Sequence, residues 1–147
     1  MPKIMKNMNV ISRCQSAYRT EAVGGDLCGC HHSFVLAICH KPGMTQEEIS
    51  RELCLNKSTV TRAINQLEER GYVKRESKPE DKRSLLVFPT EKMENILPRV
   101  RKATSEWNEL ISYGIPEDEL DVFVSVLNKM AESARKITQK GEDVDEK

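Results

Sequence analysis

Most of this chain reads at helical spacing, two short helices near its middle meet at a tight turn, and one charged hairpin follows them. These three observations predict a mainly α fold of the α+β class, built around a winged helix-turn-helix. The hairpin comprises residues 72–76 and 85–88, set around the polar turn Lys78-Pro79-Glu80-Asp81-Lys82-Arg83.

The elements follow in order. Residues 8–22 carry Met8, Ile11, Cys14 (or Gln15) and Tyr18 on one weakly amphipathic helical face, and Gly24-Gly25-Asp26 breaks that helix. A second helix is expected over 27–41, with Leu27, Phe34, Ala37 and Ile38 inward and Pro42-Gly43 as its stop. Thr45-Gln46-Glu47-Glu48 is a capping box. The Thr45 hydroxyl accepts from the Glu48 backbone N–H, while the Glu48 carboxylate reaches back to the N–H of Thr45. Ile49 and Leu53 follow, and this third helix stops near Cys54. Asn56 caps a fourth helix, whose apolar residues Val60, Ala63, Ile64 and Leu67 form one narrow stripe. Gly71 ends it, since glycine takes a positive φ without a Cβ clash. After the hairpin, Thr90 caps a fifth helix in which Met93, Leu97, Val100, Thr104, Trp107 and Ile111 recur at three and four residues, with a kink expected at Pro98. Gly114 closes it. Pro116 opens a sixth, lined by Leu120, Phe123, Leu127, Met130 and Ala134. Residues 141–147 read as a disordered acidic tail.

A length of 147 residues suits one domain, and 38% hydrophobic with 31% charged residues suits a soluble one. The net charge of zero excludes a generic polycation that coats nucleic acid. Its distribution is uneven: +1 over residues 1–55, +3 over 56–84 and −4 over 85–147. No secretory signal and no membrane span are read, so a cytoplasmic protein with no membrane partner is expected. Five cysteines then suit free thiols or metal ligands better than a disulfide framework. With no Gly-rich phosphate loop, Ser-His-Asp order or paired-carboxylate setting, an enzyme is not expected.

Opposite its apolar stripe, the fourth helix carries Lys57, Ser58, Thr61, Arg62, Asn65 and Gln66, with no carboxylate until Glu68. Short hydrogen-bonding groups and cations of this kind suit an electronegative groove lined with donors and acceptors. The segment LNKSTVTRAINQLEERGYVKRESKPEDKRSLLVFPTEKM resembles the winged helix of MarR-family transcription regulators. The resemblance rests on the Lys-Ser-Thr-Val-Thr-Arg run, the Leu-Glu-x-x-Gly-Tyr-Val run, Asp81-Lys82-Arg83-Ser84, and PGMTQEEISREL upstream. It covers nearly the whole chain and is strongest over residues 42–93.

The resemblance implies a single domain over 1–140, with the DNA-binding winged part at 27–90. Residues 1–26 and 90–140 would supply a helical dimerisation base, whose apolar faces exceed what the small winged part can cover. A homodimer would set two recognition helices in successive major grooves of double-stranded DNA, ~34 Å apart on a pseudo-palindromic operator. The resemblance also implies roles. Ser58, Thr59, Thr61 and Arg62 would lie at the DNA, and Arg83 would enter the minor groove, oriented by a charge-assisted bond from Asp81. Arg75, Lys78 and Lys82 would touch phosphates, and Thr45, Gln46, Lys57, Asn65, Gln66 and Ser84 complete the DNA-binding candidates. A repressor is expected, modulated by a small-molecule effector, a metal or an oxidant. The alternatives are a winged helix used for protein docking, which needs an apolar patch that residues 57–66 lack, and a metal or thiol sensor whose main partner is not DNA.

One feature stands apart. Cys28-Gly29-Cys30-His31-His32 and Cys39-His40 place six thiol or imidazole groups within thirteen residues, a chemistry that suits zinc or another soft metal. Cys28 and His32 are i, i+4 on the expected second helix, and His32 and Cys39 are i, i+7. The same side chains also read as small core hydrophobes and pocket-lining imidazoles. Cys14 is a redox candidate, with Tyr18 one turn away to bond a thiolate.

Overall fold

Caps and apolar stripes set the elements in the computed structural model, which describes residues 3–145 and the side chains through residue 139. Helix α1 spans Ile4–Val23, and α2 spans His32–His40 after a 3₁₀ turn at Gly29–His31. Strand β1 (Met44–Thr45) leads into α3 (Gln46–Leu53) and α4 (Lys57–Glu69). Strands β2 (Val73–Ser77) and β3 (Leu85–Pro89) form the wing, and α5 (Glu91–Ser112) and α6 (Glu117–Asp145) complete the chain. The three strands make an antiparallel sheet in the order β1-β3-β2. Val87 of β3 faces Met44 on one side and Arg75 on the other. Two compact units result, Met1–Asn108 and Glu109–Lys147.

The core of the first unit gathers Phe34, Val35 and Ile38 of α2, Ile49 of α3, and Val60, Ile64 and Leu67 of α4. Val87 of β3 and Met93, Val100 and Ala103 of α5 close over them. Each fully buried Ile or Leu contributes about 1.5–3 kcal/mol of transfer free energy. The stripe read from the fourth helix is therefore the side by which α4 is fixed.

Three expectations change and one strand is added. The second helix begins at His32 rather than at 27, because Gly29 is drawn against α1. The Gly29 N–H donates to Thr20 Oγ1 at 2.8 Å, and a Cβ there would lie 2.1 Å from the Ser16 carbonyl oxygen. α1 starts earlier, at Ile4, behind an N-cap with no side-chain bond to announce it. β1 is two residues long, too short to carry any periodicity. α6 runs on through Gly141 to Asp145, where an acidic tail was expected, and residues 146–147 of that tail lie outside the described residues. A glycine inside a helix costs only about 1 kcal/mol, which a long helix tolerates. Pro98 lies on the exposed side of α5, which continues past it to Ser112. There the carbonyl left unpaired four residues back can turn to water.

Candidate nucleic-acid interface

The turn between α3 and α4 is tied from both sides. Cys54 adopts the left-handed conformation (φ 52°), and its N–H meets the Arg51 carbonyl at 3.4 Å. The Leu55 N–H donates to the Ser50 carbonyl at 3.1 Å, and the Ser50 hydroxyl returns a bond to the Leu55 carbonyl. At the start of α3 the capping box is complete, with Glu48 N–H to Thr45 Oγ1 at 3.1 Å and Thr45 N–H to Glu48 Oε2 at 3.3 Å. Asn56 caps α4 by accepting from the Thr59 N–H at 2.8 Å and from the Ser58 hydroxyl at 2.9 Å. Local bonds thus set the angle between the two helices, and the buried stripe sets how α4 is rotated.

That rotation exposes Lys57, Ser58, Thr61, Arg62, Asn65 and Gln66, with Thr59 half-buried beside them. Among the described residues, the Arg62 and Gln66 side chains have no hydrogen-bond or ion-pair partner, so both can reach outward. Lys57 lies 3.7 Å from the Glu47 carboxylate in an exposed pair. The Thr61 hydroxyl donates to the Lys57 carbonyl at 2.9 Å and keeps its methyl on the surface. Gln46, Glu47, Lys57 and Thr61 line a recess of about 280 Å³ between α3 and α4. Nε2 of Gln46 is buried without a partner. The Thr45 oxygen already accepts the cap bond, which leaves its O–H to donate.

Arg75 departs from expectation. Side chains alternate along β2, so Arg75 shares the inward face of buried Val73, while Lys74 and Glu76 turn out and pair at 3.7 Å. Arg75 Nη2 donates to Asn65 Oδ1, and its Nε lies 3.4 Å from the Glu68 carboxylate. The guanidinium therefore braces α4 against β2 instead of offering itself to a phosphate. It also answers the first carboxylate on the α4 face, a role for Glu68 that the sequence reading missed.

At the wing tip Asp81 again differs. Its Oδ1 accepts from the Arg83 backbone N–H at 2.9 Å and its Oδ2 from the Ser84 hydroxyl at 3.3 Å. The Ser84 N–H donates to the Asp81 carbonyl at 3.2 Å, and the Lys78 N–H to the Ser84 carbonyl at 3.0 Å. Asp81 holds the backbone of the tip in an Asx-type turn rather than the Arg83 guanidinium. Lys82 and Arg83 are exposed, and among the described residues their side chains have no partner.

The six-residue metal set does not assemble. Among the described residues no group of three or more His, Cys, Asp or Glu side chains is placed to hold a metal ion. With α2 starting at His32, Cys28 is not its i, i+4 neighbour on one helix. Instead the Cys30 thiol meets Cys28 Sγ at 2.6 Å. Burial first, then Cys28, pushes the Cys30 thiol up to about 12. His32 is fully buried with neither ring nitrogen bonded, and burial, then Arg19 and His31, lowers it to about 4. His31 is buried and lowered too, by burial and then by Arg70. At the far end of α2, Cys39 is half-buried and raised mainly by burial, and His40 is exposed. Cys14 is exposed on α1, but the Tyr18 hydroxyl donates to Glu106 Oε2 at 3.3 Å, and its ring packs 5.4 Å from that of Trp107. The hydroxyl expected to support a Cys14 thiolate is turned away.

The sequence reading also missed a network at the end of α4. Asp26 accepts from the Tyr72 hydroxyl at 2.5 Å and from Lys92 Nζ at 3.0 Å, while its backbone carbonyl accepts from Arg70 at 2.8 Å. Partners 44 to 66 residues apart leave no local signal in a sequence.

The profile of the MarR family matches residues 32–85. The HTH-type transcriptional regulator YybA of Bacillus subtilis is 24% identical over 131 residues, covering 88% of this chain and 87% of that protein. A MarR transcriptional regulator from Methanosarcina mazei Go1 is 30% identical, with a TM-score of 0.81 over 91% of this chain and 97% of its own. A MarR family regulator from Listeria monocytogenes, solved in complex with 26mer DNA, is 26% identical, with a TM-score of 0.84 over 92% of this chain and 91% of its own.

Proposed function

Because this chain belongs to the MarR family of transcriptional regulators, we propose that it acts in the cytoplasm as a homodimeric repressor of a pseudo-palindromic operator. Each protomer lays α4 in a major groove and brings the wing tip, with Arg83, to the adjoining minor groove. The observation that carries this reading is the exposed row from Lys57 to Gln66, free of carboxylates and backed by a fully buried stripe. Ser58, Thr61, Arg62 and Gln66 supply donors and acceptors for base edges, and Lys57, Lys78 and Lys82 supply cations for phosphates.

Dimerisation is supported by apolar side chains left in water. Ile4, Met5, Val10 and Ile11 are exposed on α1, and Val122, Phe123, Val124 and Val126 on α6. Exposed apolar groups in such number mark an association surface. A small-molecule effector would find an open recess of about 540 Å³ beside the start of α5, where Arg99 offers a cation and Glu91 a carboxylate.

The test is a band-shift or anisotropy titration of the full chain against the DNA upstream of its own gene, with unrelated DNA as competitor. A specific complex should form with two 16.8 kDa chains per operator by sedimentation. Equal affinity for operator and competitor would overturn sequence-specific regulation, and a complex with one chain would overturn the dimer.

A further inference from the structure

Cys28 caps the 3₁₀ turn between α1 and α2 that Gly29 and Cys30 open, and the DNA-binding reading gives these residues no task. The two sulfurs are 2.6 Å apart, little more than half an ångström beyond the ~2.05 Å of a covalent disulfide. The Cys30 backbone N–H also points at Cys28 Sγ, at 3.4 Å, so a single sulfur receives both donors. Gly29 keeps the pair in place. Its N–H is bound by Thr20, and the 2.1 Å approach that a Cβ would make to the Ser16 carbonyl leaves room for no other residue. Cys30 is exposed and Cys28 half-buried, so a small oxidant can reach them.

We infer that Cys28 and Cys30 are a two-electron redox site, oxidised by hydroperoxides to a disulfide within the turn, and that this oxidation weakens DNA binding. The second half rests on the function proposed above, and the first does not. Cys28, as thiolate, attacks one peroxide oxygen. The O–O bond breaks, Cys28 becomes a sulfenic acid, and the departing alkoxide takes up the proton Cys28 had lost and leaves as an alcohol. The Cys30 sulfur then attacks Cys28. The S–S bond forms, the S–O bond breaks, and the hydroxide leaves with the Cys30 proton as water. Two thiols give up two electrons, and the hydroperoxide accepts them.

The route to the DNA face is short. Asp26, two residues before Cys28, binds Arg70 through its carbonyl and Tyr72 and Lys92 through its carboxylate. Arg70 is the C-cap of α4, Tyr72 leads into β2, and Lys92 lies in the first turn of α5, where it also bonds the Arg70 carbonyl at 2.6 Å. Drawing the sulfurs to bonding distance turns the backbone that carries Asp26, and the end of the recognition helix is fastened to that residue.

The experiment treats the reduced full chain with one equivalent of cumene hydroperoxide. Two of the five thiols should disappear, the mass should fall by two hydrogens, and fragment ions should place the link between residues 28 and 30. Cys30→Ser should halt at a sulfenic acid on Cys28 that dimedone captures, whereas Cys28→Ser should give no link and no adduct at residue 30. A link through Cys14, Cys39 or Cys54, or a Cys28→Ser chain that still loses two thiols, would overturn the redox site. Operator affinity should fall about tenfold on oxidation and return with dithiothreitol. A mapped 28–30 disulfide with unchanged affinity would overturn the coupling. A reduced chain that binds no DNA would count against the regulator reading alone, because mass and thiol counts decide the redox site without DNA.

Discussion

The recognition helix and the wing tip offer cations to the same proposed partner, yet they are held by opposite means. α4 is placed by the core: Val60, Ile64 and Leu67 are buried beneath it, and Arg75 braces its outer side through Asn65 and Glu68. The wing tip has no core beneath it. Four hydrogen bonds among Lys78, Asp81, Arg83 and Ser84 give it shape. The pose of α4 should therefore be lost only together with the fold, whereas the tip can be loosened while the fold stands. Helix for specificity and tip for adjustable affinity is the division that results.

The largest expected effect tests the first half of this contrast. Ile64→Ala should lower stability by about 2–5 kcal/mol in urea denaturation, with operator binding lost only in step with unfolding. Loss of binding by a fully folded variant would show that α4 can shift within an intact core. Next comes Arg62→Ala, expected to cost about 1–3 kcal/mol of affinity on the operator and little on unrelated DNA, with the unfolding midpoint unchanged. An equal loss on every sequence would move Arg62 to a phosphate. At the tip, Arg83→Ala should reduce the slope of log affinity against log salt by about one unit. Asp81→Ala should weaken binding a few-fold to about tenfold by releasing the Arg83 backbone, leaving stability within about 0.5 kcal/mol. A strongly destabilised Asp81→Ala chain would mean that the tip is coupled to the core after all.

The smallest effect at neutral pH concerns His32, the buried first residue of α2. Its value falls from 6.5 to about 4 on burial, so the unfolded chain binds more protons there than the folded one. The stability this gives is full above 6.5 and is lost as pH falls from 6.5 towards about 4. His32→Asn should flatten the pH dependence of the unfolding midpoint within that window. An unchanged difference from the parent across the window would mean that His32 takes up its proton as readily in the folded chain as in the unfolded one.

What the sequence made legible was what neighbours write. The capping box at Thr45 and Glu48, the Asn56 cap, and the stripe from Val60 to Leu67 all arise within one or two helical turns, and each stands where it was read. The face of α4 follows from that stripe by geometry. What stayed hidden depends on distant partners. Arg75 reads as a free cation until the sheet turns it against Asn65, and the Cys/His run reads as one helix until Gly29 is drawn onto Ser16 and Thr20. The Asp81 carboxylate was sought by a side chain and found by a backbone, a choice that residue identity alone does not reveal.

The two residues of β1 have a consequence for how the chain is made. Met44 and Thr45 find their strand partners in Val87 and Leu86, beyond both helices of the turn and the first strand of the wing. A ribosome finishes α3 and α4 well before it releases β3, so the recognition helix emerges into solvent without the strand that will frame it. The interval is one in which its apolar stripe lies open to chaperones. Closing this loop of some forty residues comes at an entropic cost that grows only slowly with length. Competence for DNA thus arrives late in synthesis, when the last strand of the sheet pairs with the first.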